Sequence, residues 1–103
     1  MELATTYRGL NERESGLAAR TLERHLPRLE RLVDKPTTLR AVVEGPSPEY
    51  RVHLELALPG SSLSAEDHGH DLGTAITNAS ERMRAQVVRV LHRRESQRHR
   101  VDE

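Results

Sequence analysis

From Tyr50 to Leu58 every second residue is apolar: Tyr50, Val52, Leu54, Leu56 and Leu58 alternate with Arg51, His53, Glu55 and Ala57. A period of two belongs to a β-strand with one buried face and one face in water. Such a strand needs sheet neighbours and a layer to cover its apolar side. Candidate neighbours lie on both sides. Thr37 to Glu44 is rich in β-branched residues, with Leu39, Ala41 and Val43 on one face and Arg40 and Val42 on the other. The stretch GPSP at 45–48 reads as a turn, and Pro59-Gly60 as a second one. The latter leads into a short strand from Ser61 to Glu66, with Leu63 and Ala65 inward. Leu3 to Tyr7 alternates weakly and is the candidate first strand.

Two amphipathic stretches supply the covering layer. Between Ser15 and Val33 the apolar positions 18, 22, 26, 29 and 33 share one helical face, with Ser15 as candidate N-cap and Lys35-Pro36 as the stop. Pro27 sits inside this pattern; it removes a backbone donor and crowds the Glu23 carbonyl, so a kink or break is expected there. The outer face carries Arg20, Arg24, Arg28 and Arg31. After the polar loop DHGHD at 67–71, positions 72, 76, 79, 83, 87 and 90 repeat at spacings of three and four. Asp71 is placed to cap this second helix, which is well supported to about His92 or Arg94. From residue 95 the stretch ESQRHRVDE has almost no apolar content and is expected to be a disordered tail, leaving residues 1–94 as one domain. The expected order is β-α-β-β-β-α: an α+β fold with a single, mostly antiparallel sheet and both helices on one face. The other sheet face is left to solvent or to a ligand.

Composition limits the chemistry. The chain has 103 residues, enough for one core, and no Phe, Trp or Cys, so that core is built from Leu, Val, Ile, Ala and Met and its stability is expected to be modest. Without Cys there is no disulfide, thiolate zinc site or cysteine nucleophile. No apolar run approaches the roughly 18 residues of a membrane span, and MELATTYRGLNERES lacks the pattern of a secretory signal, so a cytoplasmic location is expected. There is no phosphate-binding loop and no G-x-G-x-x-G, and Ser61, Ser62 and Ser64 stand in no nucleophile elbow. The acid pairs Glu66/Asp67 and Asp102/Glu103 are sequence neighbours that suggest no acid/base dyad. His68 and His70 have a spacing that can chelate, but a third ligand is missing, so a polar turn with a helix cap is the preferred reading. We therefore expect no enzyme, no cofactor, no metal and no small-molecule substrate.

The charges are segregated although the formal net charge is zero. Residues 17–35 sum to +2, residues 36–78 to −4 and residues 79–103 to +3, and Lys35 is the only Lys among 16 basic residues. At about 100° per residue, Arg82, Gln86, Arg89, Arg93 and Arg100 form a narrow stripe at the rim of the second helix. Guanidinium groups one turn apart can follow successive phosphates, although a solvated charged face gives the same pattern. Tyr7 and Tyr50 offer little for base stacking, so backbone contacts by Arg are the expected mode.

From Leu17 to Arg94 the chain resembles the ribosome hibernation-promoting factor family, also called ribosome-associated inhibitor A or sigma-factor modulation proteins. The pieces that carry the likeness are LAARTLERHLPRLERLVDKP, TLRAVVEG, EYRVHLELALPG and SLSAEDHGHD running into LGTAITNASERMRAQVVRVLHRR. As in that family, an acidic loop leads into a helix opening with Asp71, Thr74, Ala75 and Ile76, followed by basic positions. Gly73 and Thr77 depart from the pattern, standing where the family usually has an aromatic and an acid. The resemblance implies a fold akin to double-stranded-RNA-binding domains. It also implies binding to the small ribosomal subunit in the channel used by mRNA and tRNA, silencing idle ribosomes under stress. It further implies rRNA contacts at Arg82, Arg89 and Arg93 and, on the first helix, at Arg20, Arg24 and Arg28, with Arg84 and Arg94 as secondary candidates. The competing reading is a protein-interaction module that keeps the fold without the ribosome and uses its acidic middle segment.

Overall fold

The structure, a computed structural model, describes the backbone of residues 1–101 and the side chains of residues 1–95. The elements follow in the order β1 (Glu2–Arg8), α1 (Glu12–Glu30), β2 (Thr38–Glu44), β3 (Tyr50–Leu58), β4 (Ser61–Gly69) and α2 (Leu72–Val101). They build one four-stranded sheet in the order β1-β2-β3-β4. β1 runs parallel to β2, which is why α1 must cross over between them, and the other two pairings are antiparallel. The weakly patterned N-terminal segment thus forms a full edge strand, in register from Glu2↔Thr38 to Arg8↔Glu44.

The alternation decides which face is covered. Leu39, Ala41, Val43, Val52, Leu54, Leu56 and Leu58 are buried under Ala18, Leu22 and Leu29 of α1 and Ile76, Ala79, Met83 and Val87 of α2. In the middle of this face, Thr5, Ala41, Leu54 and Ala65 lie side by side across the four strands. Small residues on both sides leave Leu54 as the one large apolar side chain in that row. On the opposite face, rows such as Val42, His53, Glu66 and Glu44, Arg51, His68 meet water.

Four local expectations change. α1 starts earlier than Ser15, with Asn11 as the N-cap. Its side chain accepts from the Glu14 amide at 2.8 Å while Glu14 accepts from the Asn11 amide at 2.9 Å, a capping box. The Glu14 carboxylate also accepts from the Tyr50 hydroxyl, fastening the start of α1 to the start of β3. The Asn11 amide first, and Tyr50 second, hold the Glu14 carboxyl below its ordinary value. Second, Pro27 does not break α1, which continues to Glu30. Pro27 lies in the last turn, where the only bond lost is that to Glu23, and its own carbonyl still accepts from Arg31 at 3.1 Å. Third, β4 runs to Gly69, taking in three of the five residues of the expected loop. Fourth, the backbone of α2 continues to Val101, past the end expected near Arg94; Asp102 and Glu103 lie outside the described residues.

On the open face His53 sits between two carboxylates, its Nε2 3.1 Å from Glu55 and its Nδ1 2.7 Å from Glu66. The hydrogen bond to Glu55, with help from Glu66 and against partial burial, raises its pKa above the ordinary 6.5. The stabilisation is therefore complete below 6.5 and lost as pH rises through the higher folded value. Thermal melts from pH 5.5 to 8.5 are expected to show a drop of a few degrees that His53→Gln flattens, since exposed pairs contribute little. An equal drop in the variant would assign it elsewhere.

Candidate nucleic-acid interface

α2 positions five of the eight candidate Arg residues: Arg82, Arg84, Arg89, Arg93 and Arg94. Its first turn is fixed by Asp71, whose carboxylate accepts from the Thr74 amide at 2.9 Å and from the Thr74 hydroxyl. Those two bonds, the hydroxyl first, hold the Asp71 carboxyl below its usual range. From there the helix sends polar side chains to two flanks.

One flank meets β4. Asn78 donates to the Asp67 carboxylate at 3.1 Å, Arg82 pairs with the same carboxylate at 3.3 Å and donates to the Glu66 carbonyl, and Gln86 donates to the Ser64 carbonyl at 2.6 Å. Positions 78, 82 and 86 are successive turns of one helix face. β4 is an edge strand, and its outward carbonyls have no further strand to receive. Side chains of α2 take that place. At the far end Arg94 donates to the Pro59 carbonyl in the turn between β3 and β4. Arg82 is thus a structural clamp as well as a surface cation, its side chain still 60% exposed.

The other flank meets α1. Thr77 lies 3.2 Å from His25, and Glu81 receives Arg28 at 3.2 Å and Arg84 at 3.9 Å. Burial, and after it the charges of Arg28 and Arg24, lower the His25 pKa, with Glu81 opposing. His25 is therefore a neutral hydrogen-bonding wedge between the helices at neutral pH. Residues 82 and 84, two apart in sequence, point to opposite sides of α2.

The eight Arg residues singled out by the sequence therefore do not form one patch. Arg28 and Arg84 both reach Glu81 at the α1–α2 crevice, with Arg24 one turn before Arg28. Arg82 is on the β4 flank, and Arg89 and Arg93 follow it along α2. Arg20, Arg24, Arg89 and Arg93 are exposed and make no ion pair among the described residues. The side chain of Arg100 lies outside the described residues. Sequence reading missed Glu81 as the bridge between helices and Asn78 and Gln86 as edge caps. The 78–82–86 spacing was a visible signal for the caps; nothing local marks the pairing of Arg28 with Glu81, 53 residues apart.

His68 and His70 part company. His68 lies on β4 with its Nδ1 3.0 Å from Glu49, and His70 falls in the bend after the strand. Among the described residues no group of three His, Cys, Asp or Glu side chains could hold a metal ion, and no helix is long and apolar enough to cross a membrane.

Comparison with known proteins places this arrangement. The N-terminal domain of Protein Y from Thermus thermophilus superposes with a TM-score of 0.72 at 24% identity, covering 87% of this chain and 99% of that one. A ribosomal subunit interface protein from Coxiella burnetii superposes with a TM-score of 0.65 at 15% identity, covering 89% of this chain and 99% of that one. At these identities the likeness establishes the fold. No curated protein sequence matches the chain. The family model of the sigma 54 modulation protein / S30EA ribosomal protein matches residues 18–95, from the first buried turn of α1 to the last turn of α2 that reaches the sheet. That match spans most of the chain, which belongs to the sigma 54 modulation protein / S30EA ribosomal protein family.

Proposed function

We propose that the protein is a ribosome-associated translation inhibitor of the hibernation type, which binds small-subunit rRNA in the mRNA and tRNA channel through Arg residues of its two helices. The observation that carries this reading is that the cations without an acidic partner lie on the helix layer. Arg20, Arg24, Arg89 and Arg93 stand exposed on the helices without an ion pair among the described residues, whereas on the far face of the sheet Arg40 and Arg51 lie opposite Glu55 and Glu44 in the neighbouring strand and Glu66 lies beside His53. Such a molecule approaches a polyanion helix layer first. Family membership and the subunit-interface relative support the ribosome as that polyanion. Inhibition needs no chemistry: Arg side chains replace condensed counterions on rRNA phosphates, and the folded body occupies the path of mRNA and tRNA.

The test is co-sedimentation with purified small subunits over a salt series. With four or five phosphate contacts, affinity should fall about a hundredfold between about 50 and 200 mM salt. Folded protein that stays in the supernatant at every salt concentration would end this reading and favour a protein-interaction module.

A further inference from the structure

We propose that the crevice between α1 and α2 is a seat for one RNA backbone phosphate, and that Glu81 fills it as an internal stand-in when no RNA is bound. The inference rests on the RNA-binding reading above and adds to it a specific site and a built-in competitor.

The geometry is that of an anion site already in use. Arg28 approaches one oxygen of Glu81 at 3.2 Å and Arg84 approaches the other at 3.9 Å, so guanidinium groups from two helices converge on one carboxylate. Two cations against one anion leave the crevice positive, and Arg24 adds a further charge one turn away. His25, Leu29 and Ser80 line the crevice beside Arg28, Glu81 and Arg84. A phosphodiester presents two unesterified oxygens and a single negative charge, the same pattern as a carboxylate, and suits Arg forks at least as well. The bridge is also easy to exchange. Arg28, Glu81 and Arg84 are 59, 44 and 49% exposed, and ion pairs so open to water are weak and screened. When a phosphate enters, Glu81 must leave the two guanidinium groups, and its charge then opposes the ligand. Glu81 thus lowers the affinity of the protein's own best-formed cationic site.

The consequence is a gain of binding on removing an acidic residue. Glu81→Gln keeps the size of the side chain and should bind a short A-form RNA duplex about three- to tenfold more tightly at about 100 mM salt. Its salt dependence should steepen by about one unit in log K against log salt. Glu44→Gln, which removes the same charge from the far face of the sheet, controls for net charge. Fluorescence anisotropy on the wild type, both single variants, and Glu81→Gln in an Arg28→Ala/Arg84→Ala background decides the matter. A gain that exceeds that of Glu44→Gln and disappears without the two Arg residues supports the seat. A gain equal to that of Glu44→Gln, one that survives without Arg28 and Arg84, or no RNA binding by any variant overturns it. Small subunits assayed in parallel separate the two proposals. Subunit binding together with no Glu81-dependent gain on the duplex removes only the seat; a Glu81-dependent gain on the duplex without subunit binding removes only the ribosome.

Discussion

Changing Arg24, Arg89 and Arg93 together to Glu will weaken binding to small subunits at least about a hundredfold at about 100 mM salt, with little change in melting temperature. Each substitution removes a cation that has no ion pair among the described residues and puts an anion in its place. Losing three phosphate contacts also flattens the salt dependence by about three units in log K against log salt. Because the three side chains are exposed, the cost to folding should stay within about 0.5 kcal/mol each. Arg82 provides the contrast. Its replacement also breaks the pairing with Asp67 and the bond to the Glu66 carbonyl, so lost binding and lost stability would arrive together. Equilibrium binding combined with thermal melts separates the two cases. Unchanged affinity in the triple variant would remove the helices from the interface.

Leu54→Ala will have the largest effect on the fold. Leu54 is fully buried on a central strand, between Ala41 and Ala65 in the neighbouring strands. Elsewhere in the core a neighbouring side chain could lean into a vacancy, but alanines have nothing to extend. The cavity should persist, which puts the cost toward the upper part of the usual 2–5 kcal/mol, about 4 kcal/mol. In a domain of this size each kcal/mol moves the melting temperature by about 4–8 °C, so a drop of more than about 15 °C is expected. Leu58→Ala, at the end of the same strand and 8% exposed, should cost clearly less. Equal losses would mean that the alanine row closes over the gap.

β3 and α2 were legible in the sequence because their apolar periods are strong and uninterrupted. β4 was cut short because Asp67, which faces the helix side, is charged; its side chain is only 12% exposed and is satisfied by Asn78 and Arg82, partners from another element. β1 was faint because an edge strand buries little, with only Leu3 and Tyr7 part-buried against the core. The N-cap at Asn11 was encoded by the Asn-x-x-Glu spacing, yet the apolar pattern begins later and drew attention to Ser15. At the candidate interface, the list of Arg residues came from helical periodicity, but their division between two flanks depends on where α2 lies between α1 and β4. That is a tertiary fact, and so is the role of Glu81.

The caps along β4 bear on self-association. Gln86 and Arg82 occupy two of the carbonyls through which another strand would join that margin, so β1 is the more open edge of the sheet. Two copies meeting β1 to β1 about a two-fold axis would form a continuous eight-stranded sheet whose outer margins both carry these caps. Strand addition through β1 would give a closed pair, whereas the open-ended stacking that builds fibrils would have to displace the α2 caps at each outer margin.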